Sequence, residues 1–319
     1  MARPNPLALL CLLLTPAVSA GQGLPAYRPM NPLLSGRTAL GFIPLSPAGD
    51  GWSGDLAVDY ASVVESSQRS PASVLLDAEV FRATLRMNRS LGSRGFIQLA
   101  GAVSSSQAGF LDGPMIWYHD LVGFNEATRR ERPRNSFAYQ LTLPDGSTVE
   151  RESSGLRVTE LSVAVGLRHS ARWQTVARVF VPTSGGSAGY GNLSVATGLV
   201  TTVRSRALGN RLTLEGSLGL GYSAPSGDLA EWQRRWLASA SGGARLRFWG
   251  QQAIYANLFL HSSAYHGTSV PALDLEEASL DFGFLFRPGK GPEIVAGLVE
   301  DLYAFGPSVD LVIRLGARW

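Results

Sequence analysis

The chain has 319 residues, and its 28 Lys and Arg residues outnumber 25 Asp and Glu residues to give a formal net charge of +3. The positive charge comes from scattered arginines and not from a basic face, so nucleic-acid binding is not expected. Cys11 is the only cysteine, which argues against disulfides, a cysteine nucleophile and a cysteine-based metal site.

Residues 1–20 are predicted to be a secretory signal peptide. Arg3 precedes a short apolar run, and the sequence Thr-Pro-Ala-Val-Ser-Ala then supplies small residues for cleavage after Ala20. The run is too short to span a bilayer as a helix. A leucine precedes Cys11, where a lipoprotein signal would need a small residue, so lipidation is not expected. We therefore predict a single exported domain over residues 21–319.

The stretch GFLDGPMIWYHDLVGF, which begins at residue 109, is predicted to contain a short helix within residues 110–123. Asp112 can cap the helix, and Gly123 is a suitable end. Four side chains at helical spacing form one apolar stripe: Leu111, Met115, Tyr118 and Val122. The helix could enter the lumen of a barrel as a plug or lie on the membrane surface, and the plug is our preferred interpretation.

Several charged residues accompany this helix. His119 and Asp120 are adjacent and therefore diverge by about 100° on a helix, which disfavours a catalytic pair. A run of arginines follows, and we expect it to meet acidic residues of a lumen wall, such as Glu215, Asp281 or Asp310, or anionic head groups. The arginines are Arg129, Arg130, Arg132 and Arg134.

Alternating polar and apolar residues dominate the rest of the chain. Leu212, Leu214 and Leu218, for example, alternate with Arg211, Thr213 and Glu215. A charged inner face would be very costly in a dry sandwich core, but it is normal in a barrel with a wet lumen. Short turns also alternate with longer polar loops. The pattern predicts an all-β fold, a closed antiparallel transmembrane β-barrel of about 12–14 strands in the bacterial outer membrane.

A possible nucleophile lies in the stretch Leu-His-Ser-Ser. His261 and Ser263 are two residues apart, so their side chains point the same way on a strand, and Asn257, Glu276 or Glu277 could orient the imidazole. This arrangement would suit an outer-membrane lipid esterase or deacylase. The aliphatic residues of the same strand have the opposite parity, however, so the pair should face the lumen. A nucleophile that attacks a membrane lipid should face the lipid.

The last strand carries a pattern for membrane assembly. Leu311, Ile313, Leu315 and Trp319 occupy alternate positions up to the terminal aromatic residue, and they resemble the signal that the barrel-assembly machinery reads. Outer-membrane lipids and this machinery are therefore expected partners. The dispersed histidines lack the spacing of an HExxH site, so no metal or cofactor is predicted.

Four separated stretches resemble one bacterial family, known as domain of unknown function 3187. They are GFLDGPMIWYHDLVGF, FVPTSGGSAGYGNLSVATGL, FLHSSAYHGTSVPALDLEEASLDFGF and LVEDLYAFGPSVDLVIRLGARW. The resemblance covers nearly all of the mature chain. It implies an exported, barrel-like envelope protein and provides no catalytic residue.

Three functional hypotheses follow from the sequence. The preferred one is a non-enzymatic barrel that passes or binds a small solute, with a lumen restricted by the 110–123 helix. The second is a lipid esterase that uses His261 and Ser263. The third is a purely structural barrel of the envelope.

Overall fold

The structure is a computed structural model of the chain. It describes residues 23–37, 39, 41, 43–44, 51–123, 127–187, 190–191, 193–302 and 309–319. The predicted signal peptide, residues 1–20, lies outside the described residues.

Within the described ranges, fourteen antiparallel strands form one sheet, and twelve of them close into a barrel. Closure occurs where the first strand pairs with both the second and the last strand. The predicted fold class is therefore confirmed. The strands are β1 (Trp52–Arg69), β2 (Ala72–Leu91), β3 (Gly95–Gln107), β4 (Ala138–Thr142), β5 (Thr148–Glu150), β6 (Ser154–Ser170), β7 (Trp173–Phe180), β8 (Ala196–Ala207), β9 (Leu212–Ser223), β10 (Trp236–Trp249), β11 (Gln252–His261), β12 (Glu277–Phe286), β13 (Glu293–Asp301) and β14 (Leu311–Arg318).

The predicted alternation is clearest in β11. Ile254 and Leu260 are 41% and 42% exposed, whereas Tyr255, Phe259 and His261 between and beside them are buried. Successive side chains of a strand point to opposite faces, so the aliphatic set lies on the outer wall and the other set lies in the lumen. The outer wall therefore presents the apolar surface that a bilayer requires.

The two ends of the barrel differ. At the short-turn end, the strands are joined through residues 92–94, 171–172, 208–211, 250–251 and 287–292. At the long-loop end, β1 and β2 extend past the other strands, and β4 pairs with the protruding part of β2 from Ser73 to Asp77. The hairpin of β4 and β5 thus extends the sheet at the long-loop end.

Helical segments are confined to the loops. They are α1 (Asp112–Val122), α2 (Ala127–Glu131), α3 (Ser184–Ser187), α4 (Pro271–Asp274) and the two 3-10 helices Pro32–Leu34 and Ala230–Trp232. Among the residues described, no helix combines the length and the apolar character needed to span a membrane.

Candidate functional site: the lumen and its N-terminal segment

The described residues between 23 and 44, here called the N-terminal segment, cross the lumen of the barrel. At the short-turn end, the Arg318 guanidinium on β14 donates to the carbonyl of Gly23 across 2.7 Å. Leu24 is fully buried. A Cβ atom on Gly243 of β10 would lie 2.7 Å from the Leu24 side chain, so this glycine leaves room for the segment. The segment therefore begins inside the wall.

Tyr27 attaches the first crossing of the segment to β12. Its hydroxyl donates to Glu277 across 3.1 Å and to Ser279 across 3.0 Å. Its ring also packs against Phe259, with 4.6 Å between the ring centroids. Burial and the neighbouring Glu277 carboxylate raise the pKa of Tyr27 well above its ordinary value, so the hydroxyl remains a donor.

The segment turns at the long-loop end, in the 3-10 helix Pro32–Leu34. The Asn31 side chain accepts a hydrogen bond of 2.9 Å from the backbone of Leu33, and proline suits the first turn of the helix. The Tyr265 hydroxyl donates to the Leu33 carbonyl across 2.7 Å. Apolar residues of the segment and of the long loops form one buried cluster there: Met30, Leu33, Leu34, Leu76, Tyr139, Leu141, Tyr190, Leu229, Tyr265 and Leu273.

The segment then returns towards the short-turn end. Arg37 donates to Ser223 across 3.2 Å and to Gln233 across 3.1 Å near the long-loop end. The Thr202 hydroxyl donates to the Ile43 carbonyl, and the Gln174 amide donates to the Pro44 carbonyl, each across 2.9 Å. Gln174 follows a short turn directly, so the segment spans the lumen twice.

Buried ion pairs line the wall around the segment. Arg314 donates to Asp59 across 2.7 Å and to Asp281 across 2.6 Å. Arg204 pairs with Glu215 across 2.8 Å. Glu293 pairs with both Arg245 and Arg318. Pairing of this kind offsets the cost of desolvating charge, and it explains how the predicted charged inner face can exist in a filled lumen.

Helix α1 lies against the outer face of the barrel, which differs from the predicted lumen position. Glu79 has the opposite parity to the lumen residue Arg82 on β2, and its carboxylate accepts a hydrogen bond of 2.5 Å from the Leu111 backbone. The Tyr118 hydroxyl donates across 2.6 Å to Glu300, whose parity on β13 is also outward. The loop thus covers carboxylates that would otherwise face lipid.

The faces of α1 agree with that position. Leu111, Met115 and His119 are buried against the wall, while Phe110, Trp117 and Leu121 are 64%, 67% and 69% exposed. The predicted stripe is therefore buried at Leu111 and Met115, half-buried at Tyr118, and outside the described side chains at Val122. Gly123, with a φ of 82°, ends the helix as predicted, whereas the N-cap is Leu111 and the predicted cap Asp112 is the first helical residue.

Three of the four arginines after α1 pair with carboxylates at the long-loop end of the barrel. Arg129 pairs with Asp112 across 2.5 Å and also with Asp310 at the start of β14. Arg130 pairs with Asp120, and Arg132 pairs with Asp77 across 3.0 Å. The expectation that the run meets Glu215 or Asp281 was wrong, because lumen arginines already bind those carboxylates. Of the expected acidic partners, Asp310 is the one that pairs with an arginine of this run.

His261 and Ser263 are both buried, but the side chain of each forms hydrogen bonds to other residues. His261 contacts Glu277 through Nε2 and the Ser262 carbonyl through Nδ1, both at 2.8 Å. Ser263 donates to the Tyr265 carbonyl. Glu276 is exposed, so the carboxylate beside the imidazole is Glu277 and not Glu276. The geometry is that of a polar network joined to Tyr27, and it does not activate Ser263 as a nucleophile.

The N-terminal segment is the part of the site that the sequence analysis missed. In the sequence it corresponds to the stretch GLPAYRPMNPLLSG, which lies between the predicted signal peptide and the first alternating strand. Prolines interrupt the apolar residues of this stretch. On β14, Leu311, Ile313 and Leu315 lie on the outer face as predicted, and Trp319 follows at the short-turn end. The described residues contain no group of His, Cys, Asp or Glu that could hold a metal ion.

The solved structures that resemble this chain include an outer membrane channel and a porin. The COG4313 outer membrane channel from Pseudomonas putida F1 is 12% identical, with a TM-score of 0.51 over 86% of this chain and 97% of that chain. The NanC porin is 8% identical, with a TM-score of 0.48 over 83% of this chain and 98% of that chain. At these identities the likeness concerns the fold alone, and that fold is the one of outer-membrane proteins.

A comparison with curated proteins found no match in sequence. The sequence profile of a family described as "Protein of unknown function (DUF3187)" matches residues 23–319, almost the entire described chain. The chain therefore belongs to the DUF3187 family.

Proposed function

We propose that the barrel passes or binds a small polar solute, and that the N-terminal segment, not α1, restricts its lumen. The observation that carries this proposal is the double crossing of the lumen between Gly23 and Pro44. Both ends of the crossing contact the wall near the short turns, through Arg318 and Gln174.

The contacts of the segment suit a removable obstruction. Tyr27 and Arg37 make side-chain hydrogen bonds to the wall, and the Ile43 and Pro44 carbonyls accept hydrogen bonds from it. Water can replace such bonds one at a time, and each contributes about 0.5–1.5 kcal/mol net, or about 1.5–3 kcal/mol where one partner is charged. Local opening can therefore occur without unfolding the barrel.

Conductance in planar bilayers tests the proposal. The mature chain should conduct poorly, and a variant without residues 23–44 should conduct markedly better. Deletion of residues 110–123 serves as the matched control, because α1 lies outside the barrel and its removal should leave the lumen obstructed. Each variant must first show heat-modifiable migration on gels, which reports a folded barrel.

Three outcomes would contradict the proposal. Equally low conductance with and without residues 23–44 would favour a purely structural barrel. A rise in conductance on deletion of residues 110–123 alone would mean that α1, and not the N-terminal segment, restricts the lumen. High conductance of the mature chain would mean that the segment does not obstruct passage.

A further inference from the structure

Arginines surround a small cavity in the lumen beside the N-terminal segment. The cavity has a volume of about 40 Å³. A buried water needs about 10–15 Å³, so the space can hold a small anion or a few waters. Its charged lining comes from the segment and from five strands: Arg28, Asp55, Asp59, Arg82, Arg86, Glu160, Arg178 and Arg314.

Positive charge exceeds negative charge around this cavity. Arg314 pairs with both Asp59 and Asp281, so these three side chains together carry one negative charge. Four guanidinium groups then remain, those of Arg28, Arg82, Arg86 and Arg178.

Two carboxylates face these four groups. Glu160 accepts from Arg28 and, across 2.6 Å, from Arg82. Asp55 lies 3.5 Å from Arg86. With the negative charge of the Arg314 group included, the lining and its direct partners carry about one net positive charge.

Arg86 lines the cavity with a donor that has no hydrogen-bond partner. It is 8% exposed, and among the described residues its Nε has no hydrogen-bond partner, while its Nη1 reaches Asp55 only as an ion pair at 3.5 Å. Nε of Arg178 is also without a partner, although its Nη2 donates to Gln98. Buried guanidinium donors are costly when left unpaired, so an acceptor in the adjacent cavity would stabilise them.

The same crowding affects Arg28. Arg28 lines the cavity together with Arg82, Arg86 and Arg178, and Glu160 is the carboxylate that pairs with it. The charge of Arg28 therefore lies in an unfavourable field. An anion in the cavity would relieve this repulsion for all four arginines.

We propose that Arg28, Arg82, Arg86 and Arg178 form a lumen binding site for a small oxyanion, a carboxylate or phosphate group. Planar guanidinium groups match the geometry of both groups. The inference rests on the proposed function in one respect only: a solute that enters the lumen would meet this site. It assigns the solute to the anionic class.

Titration of the full mature chain in detergent with inorganic phosphate tests the site. Isothermal titration calorimetry should detect saturable binding, with sodium chloride at equal ionic strength as the reference. Arg86→Gln should weaken phosphate binding on the order of tenfold, because it removes one charge-assisted donor. Arg89→Gln is the matched control, because Arg89 lies on the same strand but is exposed on the outer face.

Asp55→Asn should change the phosphate affinity in the opposite direction. It removes one of the two carboxylates, so phosphate should bind several-fold more tightly, a result that damage to the fold would not produce. The site is overturned if phosphate does not bind the mature chain, or if Arg86→Gln and Asp55→Asn both leave its affinity unchanged. Binding to the mature chain without conductance of the variant lacking residues 23–44 would defeat the passage proposal and leave this site intact.

Discussion

The hydroxyl of Tyr27 donates to the carboxylate of Glu277 across 3.1 Å, although 250 residues separate them in the chain. Glu277 also holds His261 across 2.8 Å. One carboxylate thus connects the N-terminal segment to the residues that resembled a nucleophile and its base. The same contact supports the segment as the lumen obstruction and gives His261 a structural role.

Replacing Tyr27 with Phe should loosen the N-terminal segment. The change keeps the ring contact with Phe259 but leaves Glu277 and Ser279 without the hydroxyl donor, so it should destabilise the barrel by about 1–3 kcal/mol. Guanidinium unfolding in detergent measures the effect. Tyr222→Phe is the control, because that ring packs on Trp236 at the outer wall. Equal stability of the two variants would mean that the Tyr27 hydrogen bonds contribute nothing.

Replacing Arg314 with Met should be among the most damaging lumen substitutions. Arg314 holds both Asp59 and Asp281, and removal of one partner from a buried ion pair costs about 3–5 kcal/mol. Arg130→Gln breaks the exposed pair with Asp120 and should cost about 1 kcal/mol or less. The comparison uses the same unfolding experiment. A loss at Arg314 no greater than that at Arg130 would show that the Arg314 pairs are not desolvated.

Ser263→Ala should have no effect on lipid hydrolysis, because Ser263 donates to the Tyr265 carbonyl and is not activated by His261. The assay is release of fatty acid from phospholipid by the purified barrel, and we expect none from either protein. His261→Ala should instead lower stability through the Glu277 network. Robust hydrolysis that disappears in Ser263→Ala would restore the lipid esterase hypothesis.

Trp117 should contact lipid. It is 67% exposed on α1, beside the outer wall. The expected mature chain has no cysteine, so Trp117→Cys can carry a single environment-sensitive fluorophore. Its emission in vesicles should be shifted to the blue relative to a label at Ser147→Cys, which lies in the exposed turn between β4 and β5. Identical emission at both sites would place α1 in water.

Trp319→Ala should reduce the amount of heat-modifiable barrel in outer-membrane fractions, because it removes the terminal aromatic residue of the expected assembly signal. Two backbone hydrogen bonds of 3.0 Å join residue 319 to Gly54, and they remain in the variant. Refolding of the purified variant in detergent should therefore stay close to that of the parent chain. Normal assembly of Trp319→Ala in cells would exclude this residue from the signal.

The sequence by itself determined the wall of the barrel. Residues such as Leu212 and Glu215 must lie on opposite sides of a strand, since alternation has a period of two and a lipid-facing wall cannot bear unpaired charge. The same local rules placed α1 near Asp112–Val122, with Gly123 at its end. These features depend on neighbours in the chain, which the sequence displays directly.

Only the tertiary structure decided what lies inside and outside that wall. The apolar stripe of α1 requires a surface to cover it, but periodicity cannot distinguish the lumen from the outer face. In the structure, the loop that contains α1 forms hydrogen bonds to the outward carboxylates Glu79 and Glu300, and it therefore lies outside. The N-terminal segment has no periodic pattern, and its partners, such as Glu277, are distant in sequence. Its position in the lumen, and the arginine cluster around Arg28, arise from contacts that exist only once the barrel has closed.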